Sequence, residues 1–400
     1  IEQGRVRILT DYWIERSPAS AGYPIMVPVV DLVEIGNGGG SIAWLDEFGK
    51  LRVGPHSAGA APGPASYGRG GEEATTTDAN LALGRINPEF FCGGAFQADM
   101  QAAGQALDRL ATGASRSRRD IARGVIRIAN SNMVNALKLV SINRGHDPRE
   151  FTLIAFGGGG PMHAVALAAE LGITRVVVPR HADVFSAWGM LMSELRRDYF
   201  ATRLGRFHPD QASEISALIA EIADSARSQF REEGIDPRRL ALEIFAKLRY
   251  ENQEHHVEVE VPAAASIDDS AIQSISSAFH AAYQREYTYR LDAPIELVGV
   301  HLVARADVGK LQLAKPPVTG RALDSARKGR REVDYALEGI HRADIYDGVC
   351  LEPGMSFPGP AVIETSGTTV VVHPACHVSI DDYGNFHIQL PAAAEPRHAP

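Results

Sequence analysis

The sequence predicts a fold of the α/β class with a small, mostly-β module at its C-terminal end. Residues 151–171 form an apolar run, four glycines and an Ala-rich stretch, and a second apolar run follows at 175–179. A strand, a helix and a returning strand in this order indicate parallel strands covered by helices. Apolar residues recur at helical spacing over 118–143, and short apolar runs between Gly/Pro turns fill 332–390.

Composition and net charge exclude some classes of protein and partner. Of the 400 residues, 45% are hydrophobic, which suffices for two or three domains with cores. The net charge is −9, from 40 basic and 49 acidic residues, and there is no basic stripe with interleaved aromatics. We therefore expect neither a nucleic-acid nor a membrane partner. The three cysteines are far apart in sequence and are expected to be buried in a reducing compartment: Cys92, Cys350 and Cys376.

The apolar runs and the start of the chain bear on where the protein is located and whether the sequence is whole. No apolar run reaches about 18 residues and no signal-peptide pattern opens the chain, so we expect a soluble, cytoplasmic protein. The chain opens on Ile1 and on a strand already in progress, from which we expect a missing N-terminal portion.

Further strands are predicted at 6–12, 26–35, 41–45, 51–53, 241–250, 256–261 and 295–304, and further helices at 81–84, 100–112, 210–234 and 272–287.

Shifts in composition suggest a division into segments. A Lys/Arg-rich stretch that follows a proline pair is interpreted as a linker. The expected segments are an α/β domain at 1–205, an α+β domain at 206–316, the linker at 317–331, the β module at 332–391 and a tail at 392–400.

Three glycine-rich loops are candidates for contact with an anion or nucleotide. Gly38, Gly39 and Gly40 precede the first hairpin, a Gly/Pro-rich stretch spans 54–73, and the third loop comprises Gly157, Gly158, Gly159 and Gly160. Backbone N–H groups in such loops can hold phosphates, particularly where a helix begins. The alternative is that each loop is a sharp turn packed against a neighbour.

Three titratable side chains lie beside these loops, and each has a structural alternative. Asp78 is at the mouth of a predicted helix, where it is either an N-cap or a carboxylate or metal–water contact that faces the glycine loop. His163 lies one turn into the helix after the third loop, as a hydrogen-bonding group or base, or as a satisfied core histidine. Asp183 follows the strand at 175–179, where α/β sheets bind ligands, or it caps the next helix.

A polar cluster at 249–256 is a weaker candidate. Glu254 is a possible general base, and with His255 or His256 it could bind a metal. Adjacent residues of a strand point to opposite faces, so only one of the histidines would serve a given site. A hydrogen-bonded contact is the favoured interpretation. No serine-hydrolase elbow, Walker sequence or zinc-peptidase motif occurs.

Several segments together resemble the hydantoinase A / 5-oxoprolinase family. They are GNGGGSIAWLDEFGKLRVGPHSAGAAPGPASYGRGG (36–71), TTTDANLALGRINPEFFCGG (75–94), FTLIAFGGGGPMHAVALAAELGITRVVVP (151–179), VFSAWGMLMSELRRDY (184–199), RYENQEHHVEVEVP (249–262) and GPAVIETSGTTVVV (359–372).

The resemblance implies an actin-like, sugar-kinase-like fold, present here in part, and the use of ATP with Mg²⁺. Such proteins activate a carbonyl, amide or enol oxygen of a small-molecule substrate by phosphorylation, and a hydantoinase B-type subunit completes ring hydrolysis or, in ketone carboxylases, carboxylation. By this likeness Gly157–160 match the adenosine-side turn, Gly38–40 a loop near the nucleotide cleft, and Asp78 an aspartate at a helix mouth.

One departure from the family pattern bears on function. The two Asp-Gly-Gly-Thr phosphate loops of the family are not in this sequence, so we expect them on an additional segment or chain. The first functional hypothesis is a subunit or fragment of an ATP-dependent cyclic amide hydrolase. The alternatives are a ketone carboxylase subunit and a non-catalytic scaffold fragment. The sequence leaves the metal ligands and the general base open.

Overall fold

The structure is a computed structural model that describes residues 6, 8–9, 12–14, 20–25, 29–262, 267–307, 309 and 313–391. The predicted tail at 392–400 lies outside the described residues, as do parts of the strands predicted at 6–12 and 26–35. The helices are α1 (Thr76–Ala82), α2 (Met100–Ala114), α3 (Arg118–Val140), α4 (Gly160–Leu171), α5 (Phe185–Leu191), α6 (Ala212–Glu232) and α7 (Asp269–Tyr287). The strands are β1 (Ile8–Leu9), β2 (Tyr12–Ile14), β3 (Tyr23–Ile25), β4 (Val29–Val30), β5 (Ser41–Leu45), β6 (Leu51–Ser57), β7 (Leu153–Ile154), β8 (Arg175–Val178), β9 (Leu195–Arg206), β10 (Leu240–Tyr250), β11 (Val257–Val261), β12 (Ile295–Ala306), β13 (Arg327–Asp334), β14 (Ile340–Asp347), β15 (Ser356–Pro358), β16 (Ala361–Glu364), β17 (Thr369–Val372), β18 (His377–Ile380) and β19 (Phe386–Gln389).

The chain divides into two compact units. Unit 1 combines Ile1–Val30 with Leu191–Leu311, and unit 2 combines Asp31–Met190 with Gln312–Pro400. Each unit is therefore assembled from two separate stretches of sequence. The finer segment boundaries expected at 205, 316 and 331 stay predictions.

Unit 1 is built on an antiparallel sheet with the strand order β11-β10-β12-β9. Helices α6 and α7 pack on one face of it, where Phe230 and Phe279 are fully buried among aliphatic strand residues. Gly299 of β12 lies against β9: an added Cβ would be 2.5 Å from the carbonyl oxygen of Ala201. Only glycine fits at this approach, and the strand register shifts there.

The opposite face of this sheet carries a charged network. His301 has Nε2 2.7 Å from an Asp198 oxygen and Nδ1 3.1 Å from a Glu258 oxygen. A ring nitrogen that carries a proton donates to the carboxylate that it faces and stabilises its negative charge. Burial opposes ionisation of Asp198 and Glu258, yet the pKa of each stays below its usual value because of these contacts and the neighbouring cations.

Unit 2 contains the predicted strand–helix–strand motif. Strands β7 and β8 are parallel, with Leu153 opposite Val176, and α4 connects them. The sheet continues in the order β15-β18-β19-β8-β7, which leaves β7 at one edge. Helix α4 is apolar on nearly all sides, and its Val165 and Ala168 are buried in the core of this sheet. This position explains why α4 lacks the polar face of a surface helix.

The rest of unit 2 comprises a second sheet and a hairpin on helices. The second sheet has the order β13-β14-β16-β17. The predicted hairpin forms from β5 and β6 and packs on α2 and α3. Added Cβ atoms at Gly113 of α2 and Gly124 of α3 would each be 2.9 Å from a leucine methyl of the hairpin, Leu45 and Leu51 respectively. Glycines on these helices therefore make room for the hairpin.

Three local expectations are corrected. Residues 327–331 of the predicted linker are strand, because Lys328 and Arg331 of β13 bind the buried carboxylate of Glu364 on β16 at 2.6 and 3.0 Å. Cys92 is exposed rather than buried and Cys350 is only partly buried, whereas Cys376 is buried as expected. Cys92 begins a tight 3₁₀ turn with φ of 50°, which holds it at the surface.

Of the helices in the described part of the chain, none has the length and apolar composition needed to cross a bilayer.

Candidate functional site

The glycine turn between β7 and α4 exposes its backbone. Gly157 has φ of +81°, and its N–H donates to the Ala182 carbonyl at 2.6 Å. Helix α4 begins at Gly160, and its N-cap residue Gly159 has no side chain to satisfy the first N–H groups. A Cβ built at Gly157 or Gly160 meets nothing within 4 Å. Pro161 has no N–H and the N–H of Met162 donates to the Gly159 carbonyl at 3.1 Å, whereas the N–H groups of Gly158, Gly159 and Gly160 have no partner among the described residues. The turn thus presents the N–H groups of these three glycines and the positive end of a helix to open space.

A second turn holds this one in place. The Thr368 hydroxyl lies 3.1 Å from the carbonyl oxygens of both Gly157 and Gly158, to which it donates. Thr368 is itself fixed, because its N–H donates to Thr365 Oγ1 at 3.1 Å and its carbonyl accepts from the same residue. The β16–β17 turn therefore orients the two glycine carbonyls.

Asp183 lies in the same neighbourhood. It is exposed, in the 3₁₀ turn whose Ala182 carbonyl receives the Gly157 N–H. A Cβ at Gly367, in the β16–β17 turn, would overlap the Asp183 carboxylate, so the two residues are in close contact. Among the hydrogen bonds of the described residues, none is a helix cap made by this carboxylate. The structure thus brings Asp183, Thr368 and the glycine turn together.

Aromatic rings adjoin the turn. Phe156, immediately before Gly157, is 46% exposed, and its ring centroid is 5.2 Å from that of Phe185. Phe185 in turn stacks on Trp188, with centroids 5.3 Å apart and planes 9° apart. Stacked, partly exposed rings offer a flat surface on which a planar heterocycle can lie.

The loop with Gly38, Gly39 and Gly40 is tied to the N-terminus of α1. The carbonyl of Gly39 accepts from the N–H and the hydroxyl of Thr77, both at 2.9 Å, and the carbonyl of Gly40 accepts from Ala58 N–H at 2.8 Å. A Cβ at Gly39 would be 2.8 Å from Thr77 Oγ1, whereas one at Gly38 meets nothing. Packing therefore explains Gly39, and only Gly38 has the openness that ligand contact needs.

Asp78 is fully buried and fully bonded. Its oxygens accept from Ser66 N–H, from Thr75 N–H and from the Thr75 hydroxyl, each at 2.8 Å. With Thr75 as N-cap, Asp78 forms a capping box at the start of α1. The geometry favours a capping role, as N3 of the box rather than the N-cap itself. The carboxylate has no solvent contact through which to meet a substrate.

Two cavities border these loops in unit 2. One of about 260 Å³ is lined by Phe156 and Gly160 of the glycine turn, and by Ile35. The other, of about 730 Å³, is lined by Ile35, Gly36 and Asn37. Ile35 is thus common to both cavities.

His163 faces α3 rather than the open side of the turn. Its Nδ1 is 2.7 Å from Asn130 Oδ1, so Nδ1 carries the proton, and the side chain is only 5% exposed. Burial, helped by the charge of Arg85, lowers the pKa of the imidazole to about 4. The structure therefore favours the satisfied core histidine, neutral at physiological pH, over a general base.

The buried imidazole makes stability depend on pH. The unfolded chain binds a proton near the ordinary value of 6.5, whereas the folded chain does so only near pH 4. Lowering the pH through this window therefore favours unfolding, by up to about 1.4 kcal/mol per pH unit. Urea unfolding across the window should show this slope, and His163→Gln, which keeps a donor toward Asn130, should reduce it. An unchanged slope in the variant would show that other groups cause the dependence.

The cluster around Glu254 lies in unit 1, in the connection between β10 and β11 rather than on a strand. Glu254 and His255 are exposed, and the His255 ring stacks on Tyr287 with centroids 5.3 Å apart. Within the described ranges, no group of three or more His, Cys, Asp or Glu side chains is arranged to hold a metal ion. Glu254 as general base stays a prediction.

Sequence reasoning missed Thr368 and Asn130. Each acts on a predicted residue from far along the chain: Thr368 is 211 residues from Gly157, and Asn130 is 33 from His163. The segment TSGTT (365–369) follows an apolar run and could have suggested a turn at Thr368. Nothing in the local pattern distinguishes Asn130 from the other asparagines of α3.

Comparison with known proteins identifies the family. The hydantoinase/oxoprolinase family model matches residues 1–199, and the model for the C-terminal domain of the same family matches residues 208–390. The chain is 32% identical over 372 residues to the caprolactamase subunit alpha of Pseudomonas jessenii, covering 92% of this chain and 53% of that protein. The chain thus spans about half the length of the curated relatives it matches.

Solved structures agree. An acetone carboxylase in its nucleotide-free state superposes with a TM-score of 0.81 at 27% identity, over 97% of this chain and 56% of that one. The ATP-dependent caprolactamase of Pseudomonas jessenii gives 0.77 at 33% identity, over 92% and 54%. The predicted fold class, α/β of the actin-like type with a mostly-β C-terminal part, is confirmed by these neighbours. Both family models and both structures lead to one conclusion: the chain belongs to the hydantoinase/oxoprolinase family.

Proposed function

We propose that this chain is a subunit, or part of one, of an ATP-dependent cyclic amide hydrolase, and that the adenosine side of the nucleotide binds at Gly157–160. The observation that carries the proposal is the open backbone at Gly157 and Gly160, at the N-terminus of a helix with no side-chain cap. The adenosine can approach this backbone closely, and the N-terminus of the helix would stabilise the negative charge of the phosphate next to it.

The residues around the turn fit an adenine nucleotide. Thr368 fixes the turn through the carbonyls of Gly157 and Gly158, so the N–H groups need no reorganisation on binding. The stacked rings of Phe185 and Trp188, with Phe156 tilted beside them, would offer a surface for the base. Asp183 is close enough to the turn to orient a polar group of the ligand. ATP, when bound, would supply the phosphoryl group that activates the substrate carbonyl.

The remaining parts of the machinery are expected elsewhere. We assign no residue to Mg²⁺, whose use is inferred from the resemblance alone. The phosphate loops of the family would come from an additional segment, as the twofold greater length of the relatives suggests. A hydantoinase B-type subunit would complete the hydrolysis; the relatives in the comparison include a protein named as subunit alpha. We place the assembly in the cytoplasm.

The second candidate is a subunit of an ATP-dependent ketone carboxylase, favoured by the TM-score of 0.81 to acetone carboxylase. The test is ATP hydrolysis by the complete assembly, once with hydantoin, 5-oxoproline or caprolactam and once with ketone plus bicarbonate. Stimulation by a cyclic amide supports the first candidate. Stimulation only by ketone plus bicarbonate overturns it in favour of the second. If neither acts and Mg-ATP does not bind saturably, the chain is a scaffold.

The role of Thr368 can be tested separately. Thr368→Val keeps the shape of the side chain but removes the donor to the two glycine carbonyls. We expect a loss of about 1 kcal/mol in stability and a several-fold weaker nucleotide affinity, because the turn becomes mobile. Calorimetric titration and thermal unfolding measure the two effects. Thr319→Val, which removes a hydroxyl contact to Glu352 in the same unit, is the control that should leave affinity unchanged.

A further inference from the structure

We propose that unit 2 has a second small-molecule site, in the cavity between the β5–β6 hairpin and α3, for a neutral ring that carries amide groups. The cavity has a volume of about 730 Å³, within the range of small-molecule pockets. Its lining includes three asparagines, a tryptophan and a phenylalanine: Asn37, Asn132, Asn135, Trp44 and Phe48. None of these belongs to the Gly157–160 turn.

The walls of this cavity are fixed before any ligand binds. Trp44 Nε1 donates to the Gly54 carbonyl at 3.0 Å, which locks the indole. Asn37 Nδ2 donates to the Ala129 carbonyl of α3 at 3.0 Å. A Cβ at Gly54 would be 2.7 Å from the Gly36 carbonyl oxygen, so the glycine loop and β6 touch there. A preformed pocket loses little entropy when it is occupied.

One buried side-chain oxygen of a lining residue has no hydrogen-bond partner among the described residues. Asn37 Oδ1 is buried and accepts no hydrogen bond from the described residues. The bond from Nδ2 to Ala129 fixes the orientation of the carboxamide, so the oxygen is held as an acceptor. A buried acceptor without a donor costs about 1–3 kcal/mol. A ligand N–H that reached it would recover that energy.

The lining favours an uncharged ligand. Asn132 and Asn135 follow Ile128 on one face of α3, and their carboxamides offer donors and acceptors but no charge. Three charged residues also line the cavity, namely Asp46, Glu47 and Arg52. Asp46 accepts from Arg52 at 2.9 Å and from the N–H groups of Phe48 and Lys50, so these two charges offset each other, and Glu47 is exposed to solvent. Carboxamides pair with adjacent N–H and C=O groups, as a lactam, a hydantoin or a pyrimidine base presents them.

The aromatic rings supply the remaining contact. Trp44 is 40% exposed and Phe48 is 76% exposed, so each can cover one face of a planar ring. For a lactam or hydantoin the site would hold the substrate ring, an extension that rests on the proposed function. For a pyrimidine base it would be a nucleobase site.

The experiment measures binding to the full chain without ATP, by saturation-transfer NMR with caprolactam and with uracil as separate probes. We expect at least one probe to bind, and Asn132→Asp and Asn135→Asp to weaken it by about tenfold or more, because each replaces an amide donor by a charge. Asn143→Asp is the matched control, on an exposed asparagine outside the cavity, and should bind as wild type. Thermal unfolding shows whether the near-isosteric variants fold.

The outcomes are distinct. Binding of caprolactam alone identifies a cyclic-amide site, and binding of uracil alone a nucleobase site. No binding of either probe, or equal binding by folded variants and wild type, overturns the proposal. Because the assay uses neither ATP nor turnover, a failure of the proposed hydrolase activity would leave its result unaffected.

Discussion

Replacing Gly160 by valine is expected to weaken the binding of an adenine nucleotide by at least about tenfold, or about 1.4 kcal/mol, while the fold stays intact. A Cβ at this position meets nothing within 4 Å apart from its chain neighbours. Because Pro161 follows and disfavours the helical conformation of a preceding residue with a Cβ, thermal unfolding of the variant must accompany the titration. The new methyl groups would occupy the space from which a ligand approaches the N–H groups of α4. Titration of Mg-ATP into the complete assembly measures the effect.

A matched control separates ligand exclusion from a general effect of valine. Gly205 in β9 of unit 1 is equally open, with nothing within 4 Å of an added Cβ. Gly205→Val should therefore bind nucleotide as wild type does. If Gly160→Val binds nucleotide normally, or if both variants lose affinity alike, the nucleotide does not contact this turn and the proposed site is wrong.

Asp78→Ala is expected to lower the free energy of unfolding by about 3–4 kcal/mol, more than Thr368→Val or Asp99→Ala. The substitution leaves three buried donors without an acceptor, namely the N–H of Ser66 and the N–H and hydroxyl of Thr75. Each stranded donor costs about 1–3 kcal/mol, and part of the cost is relieved by local adjustment. Denaturant unfolding of the chain gives the difference in free energy.

The N-cap of α2 provides the comparison. Asp99 is exposed and accepts one backbone N–H, that of Ala102 at 2.9 Å. Asp99→Ala should cost only about 1 kcal/mol, as expected for a solvent-exposed cap. A catalytic Asp78 would behave in the opposite way: its removal would abolish turnover in the assembly while stability changed no more than in Asp99→Ala.

A feature could be predicted from the sequence when the residues that form it are close together in the chain. The β7–α4–β8 motif was predictable because its pattern of apolar residues and glycines lies within one short stretch. The capping box was partly readable, since Thr75 and Asp78 have the required spacing. The bond from Thr368 to the glycine turn was not, because it joins positions 211 residues apart. The low pKa of His163 also depends on burial that only packing creates.

Strands were harder to predict where their partner strands are far away in the sequence. Lys328 and Arg331 looked like linker residues because charge and proline dominate their surroundings. Their place in a sheet depends on the distant strand β14, with which β13 pairs, and on the buried Glu364 of β16. The edges of β7 were misjudged for a related reason. The ladder with β8 pairs Leu153 and Ile154 and ends at Ala155, whose N–H donates to the Val177 carbonyl at 2.9 Å, although the apolar run extends from 151 to 156.

The joining of β19 to β8 has a consequence for how the protein is made. Arg180, just beyond β8, bonds to Asn385, 205 residues later in the chain. On the ribosome, β8 emerges long before its partner strand is synthesised, and the whole of Leu191–Leu311 is translated between the two halves of unit 2. Such late pairing slows folding and exposes an apolar strand in the meantime. Nascent unit 2 should therefore bind chaperones until translation passes residue 389, whereas the sheet of β9–β12 can form earlier.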